Sequence, residues 1–162
     1  MEGGCECGAV RYRLIEEPIT TNCCHCRDCQ AITGSAFALN AMIETDRIAV
    51  TRGEPEVRTL GRESRGDARA WRCPTCAALL WADHPMFGDA IRFVRAGTLD
   101  HAEALAPDAH YFLRSKHPWI TVPTGVPGYE TLPEDGSGAV LPPARAVRMA
   151  AAMRLVGDPE AG

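Results

Sequence analysis

Three groups of closely spaced cysteines are the residues of this sequence best suited to do chemistry. They are Cys5 with Cys7, the run from Cys23 to Cys29, and Cys73 with Cys76. Zinc takes thiolate ligands in a tetrahedron with Zn–S distances near ~2.3 Å, so the sulfurs of one site must lie about 4 Å apart. Cysteines spaced C-x-C or C-x-x-C can meet that requirement. The spacing therefore indicates metal binding.

Two of the pairs together predict a closed site. Cys5 and Cys7 flank the start of a predicted strand, where alternate side chains point the same way. The segment 73–76 (CPTC) is typical of a tight turn that directs two thiolates at one ion. Joined, the pairs fill all four corners of the tetrahedron and fasten the first strand to the later sheet. We therefore expect a structural zinc on Cys5, Cys7, Cys73 and Cys76.

The middle cluster offers one ligand fewer. Cys24, Cys26 and Cys29 combine a C-x-C spacing with a C-x-x-C spacing. Three thiolates leave one corner of the tetrahedron open, which is typical of a catalytic zinc. Cys23 or His25 would make the site structural by filling that corner. Neighbours on an extended segment point opposite ways, which favours the open site and a total of two zinc ions per chain.

Length, charge and hydropathy narrow the class of protein. The 162 residues fit one ordinary domain, and the formal net charge of −4 argues against a general nucleic-acid binder. No apolar run is long enough to span a membrane, and the first residues do not resemble a signal peptide. We therefore expect a cytoplasmic protein without a nucleic-acid or membrane partner. In that reducing compartment, cysteines favour metal binding or redox chemistry over disulfides.

The elements that must position these cysteines are predicted to be mostly short strands. In residues 9–15, Val10, Tyr12 and Leu14 alternate with Arg11 and Arg13, as in a half-buried strand. Further strands are predicted at 47–51, 56–60, 70–72, 79–82, 91–95, 110–113 and 119–122, with glycines and prolines between many of them.

Strong helix formers predict one C-terminal helix over residues 144–156. Val147, Ala151 and Leu155 recur at a spacing of four, which is a weak apolar stripe. We therefore expect a solvated helix rather than a site for a partner.

At this point the sequence resembles the family of glutathione-dependent formaldehyde-activating enzymes, which shares a domain with centromere protein V. The matching segments are 4–12 (GCECGAVRY), 24–30 (CHCRDCQ), 34–37 (GSAF), 73–76 (CPTC), 96–100 (AGTLD) and 110–119. Their combination is specific, and the resemblance covers about residues 3–130. One departure is Ala77, which stands where the family usually has glycine after the C-x-x-C pair. Alanine tolerates a positive φ less well than glycine, so this turn is expected to differ slightly.

The resemblance implies a mostly β, Mss4-like zinc-binding fold of twisted antiparallel sheets over residues 1–135, followed by a tail, 136–162, that carries the helix. It implies the same two zinc sites as the spacing, with the catalytic zinc on Cys24, Cys26 and Cys29. It also implies a carbon–sulfur lyase that joins glutathione to formaldehyde as S-hydroxymethylglutathione, or the reverse. The expected partners are thus a small thiol and a small aldehyde.

Several assignments stay open at this stage. The chain can instead be a non-catalytic zinc-binding or interaction module of the same fold, because fold does not fix function. A thiol-redox protein would need a reactive cysteine outside the zinc sites, and Cys23 is the one left over.

Individual roles near the cysteines are open as well. His25, Asp28 and Ser35 are candidate proton donors, although His25 can equally orient a thiolate or face solvent. Trp119 either packs in the core or walls a cleft. The candidates to attract the carboxylates of glutathione are Arg27, Arg114 and Lys116.

Overall fold

Ten strands and two helices make up the computed structural model, which describes residues 1–60, 66–133 and 141–156. The strands are β1 Glu2–Gly4, β2 Arg11–Leu14, β3 Thr20–Cys24, β4 Ala38–Glu44, β5 Ile48–Arg52, β6 Glu56–Thr59, β7 Arg69–Arg72, β8 Leu79–Ala82, β9 Ile91–Arg95 and β10 Ala109–Tyr111. The helices are α1 Arg27–Thr33 and α2 Pro143–Val156. The predicted mostly β fold with a C-terminal helix is therefore confirmed.

The strands form two sheets. A three-stranded sheet has the order β1-β2-β5, and a seven-stranded sheet has the order β10-β3-β4-β9-β8-β7-β6. Every strand pair is antiparallel except β10 with β3, where Cys23 faces His110 and Cys24 faces Tyr111 in parallel register. The one parallel pair brings a distant segment of chain to the middle cysteine cluster.

The main core joins the two sheets around Tyr12. As predicted, Val10, Tyr12 and Leu14 are all buried. The Tyr12 ring meets Trp81 edge-to-face at 5.3 Å between centroids, and its hydroxyl bonds to Thr98 Oγ1 at 2.6 Å. These contacts hold β2 against β8 across the two sheets. Cys5 and Cys73 lie in the same core cluster.

Most predicted strands are present, but the residues around the middle cysteines were not predicted as regular structure. Residues 119–122 are not a strand, so that prediction is wrong. Strands β1, β3 and β4 and helix α1 carried no strand or helix prediction. Strand β3 is buried at every position, so it lacks the alternation on which strand prediction depends.

Helix α2 docks on the domain through a face that the apolar stripe did not reveal. Val147, Ala151 and Leu155 are exposed. Ala152 and Met149 instead pack in a second core cluster with Ile19, Met42 and Ile91. The expectation of a solvated helix is therefore wrong for this face.

An ion pair completes the docking of α2. Arg148 makes a two-pronged contact with the Glu44 carboxylate, with Nε at 2.8 Å from Oε1, and Nη1 donates to the Glu17 carbonyl at 2.8 Å. Both charged side chains are largely buried, which makes the pair stronger than a surface one. A hydrophobic pattern does not identify an arginine as a packing residue.

The boundary predicted between residues 135 and 136 lies outside the described residues. No helix in the described part of the chain has the length and apolar character needed to cross a bilayer.

Ala152→Asp tests the docking of α2. Ala152 is 3% exposed, so a carboxylate there would lose its water, and we expect the free energy of unfolding to fall by about 2 kcal/mol. Ala151→Asp is the matched control, because Ala151 is exposed on the same helix, and it should cost less than about 0.5 kcal/mol. Urea unfolding and amide exchange of residues 143–156 measure both effects. Equal losses in the two variants would contradict the docked helix.

Candidate metal-binding active site

Cys24, Cys26 and Cys29 form one compact group, the three-cysteine cluster. The last residue of β3 supplies Cys24, the residue that caps α1 supplies Cys26, and the first turn of α1 supplies Cys29. Their sulfur atoms all lie within 4.8 Å of one another. The Cys26 sulfur also accepts a hydrogen bond from the Cys29 backbone N–H at 3.3 Å. A strand end and a helix start are therefore the local structures that direct three sulfurs to one point.

Packing buries two of the three cysteines and leaves the third partly exposed. Cys24 and Cys29 are buried against Ala38 and Phe112, whereas Cys26 is partly exposed. Phe112 holds a left-handed backbone conformation with φ of 61°, which costs a non-glycine residue about 1 kcal/mol. Backbone strain of this kind tends to collect at functional sites. Here the residue packs against the group formed by Cys24, Cys29 and Ala38.

Crowding makes the cluster resist ionisation when it has no cation. Hydrogen bonding with Cys26 and Cys29, together with burial, raises the pKa of Cys24 far above that of a free thiol. For Cys29 the hydrogen bond with Cys24 lowers the pKa, but the bond with Cys26 and burial outweigh it, and the net pKa is raised. A bound divalent cation reverses this balance, because it stabilises several thiolates together. The donor set therefore suits a soft dication such as zinc.

The other four cysteines also meet, and form the four-cysteine cluster of Cys5, Cys7, Cys73 and Cys76. All four sulfurs lie within 4.8 Å of one another. The Cys7 sulfur is 3.5 Å from that of Cys5 and 3.7 Å from that of Cys73. Those separations are close to the roughly 4 Å edge of a zinc–thiolate tetrahedron.

Backbone N–H groups surround the four-cysteine cluster and favour its thiolates. Val10 N–H donates to Cys5 Sγ at 3.2 Å, and Thr75 N–H donates to Cys73 Sγ at 3.4 Å. Burial raises the pKa of Cys5, but the Val10 bond and those from neighbouring thiols lower it more. The pKa values of Cys73 and Cys76 are lowered, in each case chiefly by a backbone N–H.

The remaining member of the four-cysteine cluster, Cys7, behaves oppositely. The Ala9 N–H lowers its pKa, but the thiol groups around it raise the value to about 12. A bound dication would stabilise the Cys7 thiolate together with the other three.

Cys23 and His25 lie beside the three-cysteine cluster but belong to another group. Both are buried, and with His110 they form a separate set of atoms within 4.8 Å. His25 Nε2 bonds to His110 Nδ1 at 3.0 Å, so His25 neither faces solvent nor joins the three sulfurs. Burial lowers the pKa of His25 to about 4 and raises that of Cys23 to about 12. A buried thiol of that kind is a poor redox nucleophile.

The other candidates have ordinary surroundings. Ser35 is exposed and donates its N–H to Thr33 Oγ1 at 3.3 Å, while Asp28 lies in the first turn of α1. Lys116 Nζ donates to backbone carbonyls at 3.2 and 2.7 Å, and Arg27 and Arg114 are exposed.

Trp119 is not a core residue. It is 73% exposed and stacks on His117, with 5.8 Å between ring centroids. Of the two roles open to Trp119 in the sequence, core packing is therefore wrong.

Four residues near the cysteines carried no sequence prediction of a role. His110, Phe112, Arg72 and Arg95 reach the site from strands and turns far from residues 24–29 in the chain. His110 and Phe112 fall in the resembling segment 110–119, which was a usable signal. Arg72 directly precedes Cys73, and Arg95 directly precedes the AGTLD segment, but nothing in their spacing marks them as site residues.

Comparison with known proteins identifies the family of the chain. A family model described as glutathione-dependent formaldehyde-activating enzyme matches residues 1–115. A Halomonas elongata protein named "Putative glutathione-dependent formaldehyde-activating enzyme" is 28% identical over 129 residues, which cover 75% of this chain and 80% of that protein. A crystallised Rhodobacter sphaeroides protein superposes with a TM-score of 0.49 at 20% identity, over 80% of this chain and 99% of its own.

Ala77→Gly tests the turn that closes the four-cysteine cluster. Ala77 has a φ of 59°, and its N–H bonds to the Cys73 carbonyl at 2.9 Å. Glycine adopts that conformation without strain, so we expect the unfolding free energy to rise by about 0.5–1 kcal/mol. Ala78→Gly, next along the chain and without a positive φ, should instead lower it. Thermal unfolding with the metal content held equal distinguishes them, and a loss in both variants would refute strain at Ala77.

Proposed function

Since the chain belongs to the family of glutathione-dependent formaldehyde-activating enzymes, we propose that it is a carbon–sulfur lyase that joins a small thiol to formaldehyde, or splits the adduct. The observation that carries the proposal is the three-cysteine cluster. Among the described residues, no fourth cysteine, histidine or carboxylate lies with those three sulfurs. Three thiolates and a free corner are the ligand set of a catalytic site.

We assign two zinc ions to the chain. Cys24, Cys26 and Cys29 would hold the catalytic one, and Cys5, Cys7, Cys73 and Cys76 the structural one. A zinc ion on three cysteines would lower the pKa of an incoming thiol, so that it reacts as a thiolate at neutral pH. The reactivity of all these sulfurs requires reduced thiols, which a cytoplasmic location supplies.

The reaction needs little else from the protein than position. The substrate sulfur forms a bond to the aldehyde carbon, the carbon–oxygen π bond breaks, and the thiol proton ends on the new hydroxyl oxygen. Cys26 is the partly exposed member of the cluster, whereas Cys24 and Cys29 are buried in one packed group with Ala38. A thiol can reach the cluster beside Cys26, and holding both reactants at the cluster supplies the entropic advantage.

The proposal is tested by removing one ligand from each site. Cys26→Ser should keep the fold, lower the zinc content from two ions per chain to about one, and reduce glutathione-dependent formaldehyde turnover by more than about 100-fold. Cys7→Ser should unfold or aggregate the chain, because a structural zinc contributes folding free energy directly. Metal analysis, circular dichroism and the turnover assay report the three quantities.

Cys23→Ala is the matched control, since Cys23 is buried beside the cluster but outside both sets of sulfurs. It should retain two zinc ions and most of the activity. If Cys26→Ser keeps both metals and full turnover, the site assignment is wrong. Two bound zinc ions without turnover of any thiol and aldehyde would instead indicate a non-catalytic zinc-binding module.

A further inference from the structure

A cavity of about 520 Å³ is lined by residues that neighbour both cysteine clusters, among them Ala38 and Ala78. Its walls come from the end of α1, the start of β4, the turn after Cys76, and the residues around the end of β9. Pockets of 300–1,000 Å³ are typical of small-molecule sites. The cavity, called the arginine groove below, therefore has room for a ligand the size of a tripeptide.

The arginine groove reaches the three-cysteine cluster through shared residues. Ala38 lines the groove and also packs against Cys24 and Cys29. Thr33 lines it as well, and its hydroxyl bonds to the Cys29 carbonyl at 2.7 Å. A ligand with its sulfur at the cluster can thus extend the rest of its length along this groove.

Two arginines give the groove its charge. Of the described residues that line it, Arg72 and Arg95 are basic and none is acidic, in a chain whose net charge is −4. Another cavity, near the start of β7, differs because the Arg69 that lines it is paired with Asp83 and Asp89. A positive, concave surface in an acidic protein favours an anionic ligand.

The fold holds Arg95 firmly in the groove. Arg95 is 8% exposed and its Nη1 donates to Asn40 Oδ1. Asn40 in turn donates to Asn22 Oδ1 at 3.2 Å, so the three side chains form a buried polar row across β9, β4 and β3. Arg72 is half-buried, and its Nη1 donates to the Ala77 carbonyl at 2.9 Å. Both guanidinium groups are thus preorganised rather than free to rotate in solvent.

We propose that the arginine groove binds the carboxylate end of an anionic thiol, with Arg72 and Arg95 as the groups that recognise it. The identity of the ligand as a thiol rests on the proposed function above, whereas the anionic requirement rests on the groove alone. Glutathione, with two carboxylates and one ammonium, has this chemistry. Guanidinium groups bind carboxylates through strong, often two-pronged hydrogen bonds, so neutral thiols should bind less well.

The test uses S-methylglutathione, whose capped sulfur cannot become a thiolate, as a calorimetric probe of the zinc-loaded protein. Arg72→Gln should weaken its binding about 10-fold, because one charge-assisted contact is lost. Arg58→Gln is the matched control: Arg58 has the same charge, lies on the adjacent strand β6, is exposed and does not line the groove. It should bind the probe as the wild type does.

A steric variant gives a second measurement that leaves the charges intact. Gly97 lines the groove, and a Cβ added there meets no heavy atom within 4 Å, so Gly97→Leu should fold and still weaken binding.

In turnover assays, Arg72→Gln should raise KM for glutathione and leave KM for 2-mercaptoethanol unchanged. Arg72→Lys should recover part of the loss.

The outcomes separate this inference from the lyase proposal. If the wild type does not bind S-methylglutathione, or if Arg72→Gln and Arg58→Gln bind it equally, the groove assignment is overturned. Turnover that is equal for glutathione and its dimethyl ester overturns the anionic requirement and leaves the lyase standing. Probe binding that Arg72→Gln weakens, in a protein that turns over no thiol, supports the groove and rejects the lyase.

Discussion

Mutual repulsion between closely packed thiolates is the constraint on which the molecule depends. The fold gathers seven sulfurs into two small volumes, where hydrogen bonds among the thiols, burial and like charge raise the pKa of several of them. A bound dication would remove that penalty, because it attracts all the thiolates of one cluster together. Ionising these thiols without a cation therefore costs free energy. The surrounding packing holds the sulfurs close enough together for one small soft cation to stabilise them.

A cation bound to one cluster would act differently from a cation bound to the other, because the surroundings of the two clusters differ. The four-cysteine cluster has backbone N–H donors and belongs to the core that contains Tyr12 and Trp81, so its attachment serves the fold. The three-cysteine cluster has Phe112 packed against it and one partly exposed member, Cys26. The arginine groove shares Ala38 with the three-cysteine cluster and borders the turn after Cys76 of the four-cysteine cluster. That turn thus also forms one wall of the groove in which we propose that substrate lies.

The sequence predicted the cysteine groups well because their spacing is a local property. C-x-C and C-x-x-C patterns fix which sulfurs can meet, and the structure brings both predicted sets together. The sequence also predicted β2 from its alternation, but not β3, whose five residues are all buried. Nor did it identify Arg95, whose role depends on strands β3, β4 and β9 lying side by side. Cross-strand neighbours of this kind are set by topology, which local patterns do not encode.

The separation of the cysteines along the chain has a consequence for biosynthesis. The three-cysteine cluster lies within one short segment, whereas the contact between Cys7 and Cys73 joins residues 66 positions apart. Ribosomes deliver the chain from its N-terminus at roughly 5–20 residues per second. The three-cysteine cluster is thus complete on the nascent chain several seconds before the four-cysteine cluster, so the two zinc ions that we propose need not be acquired from the same pool or at the same moment.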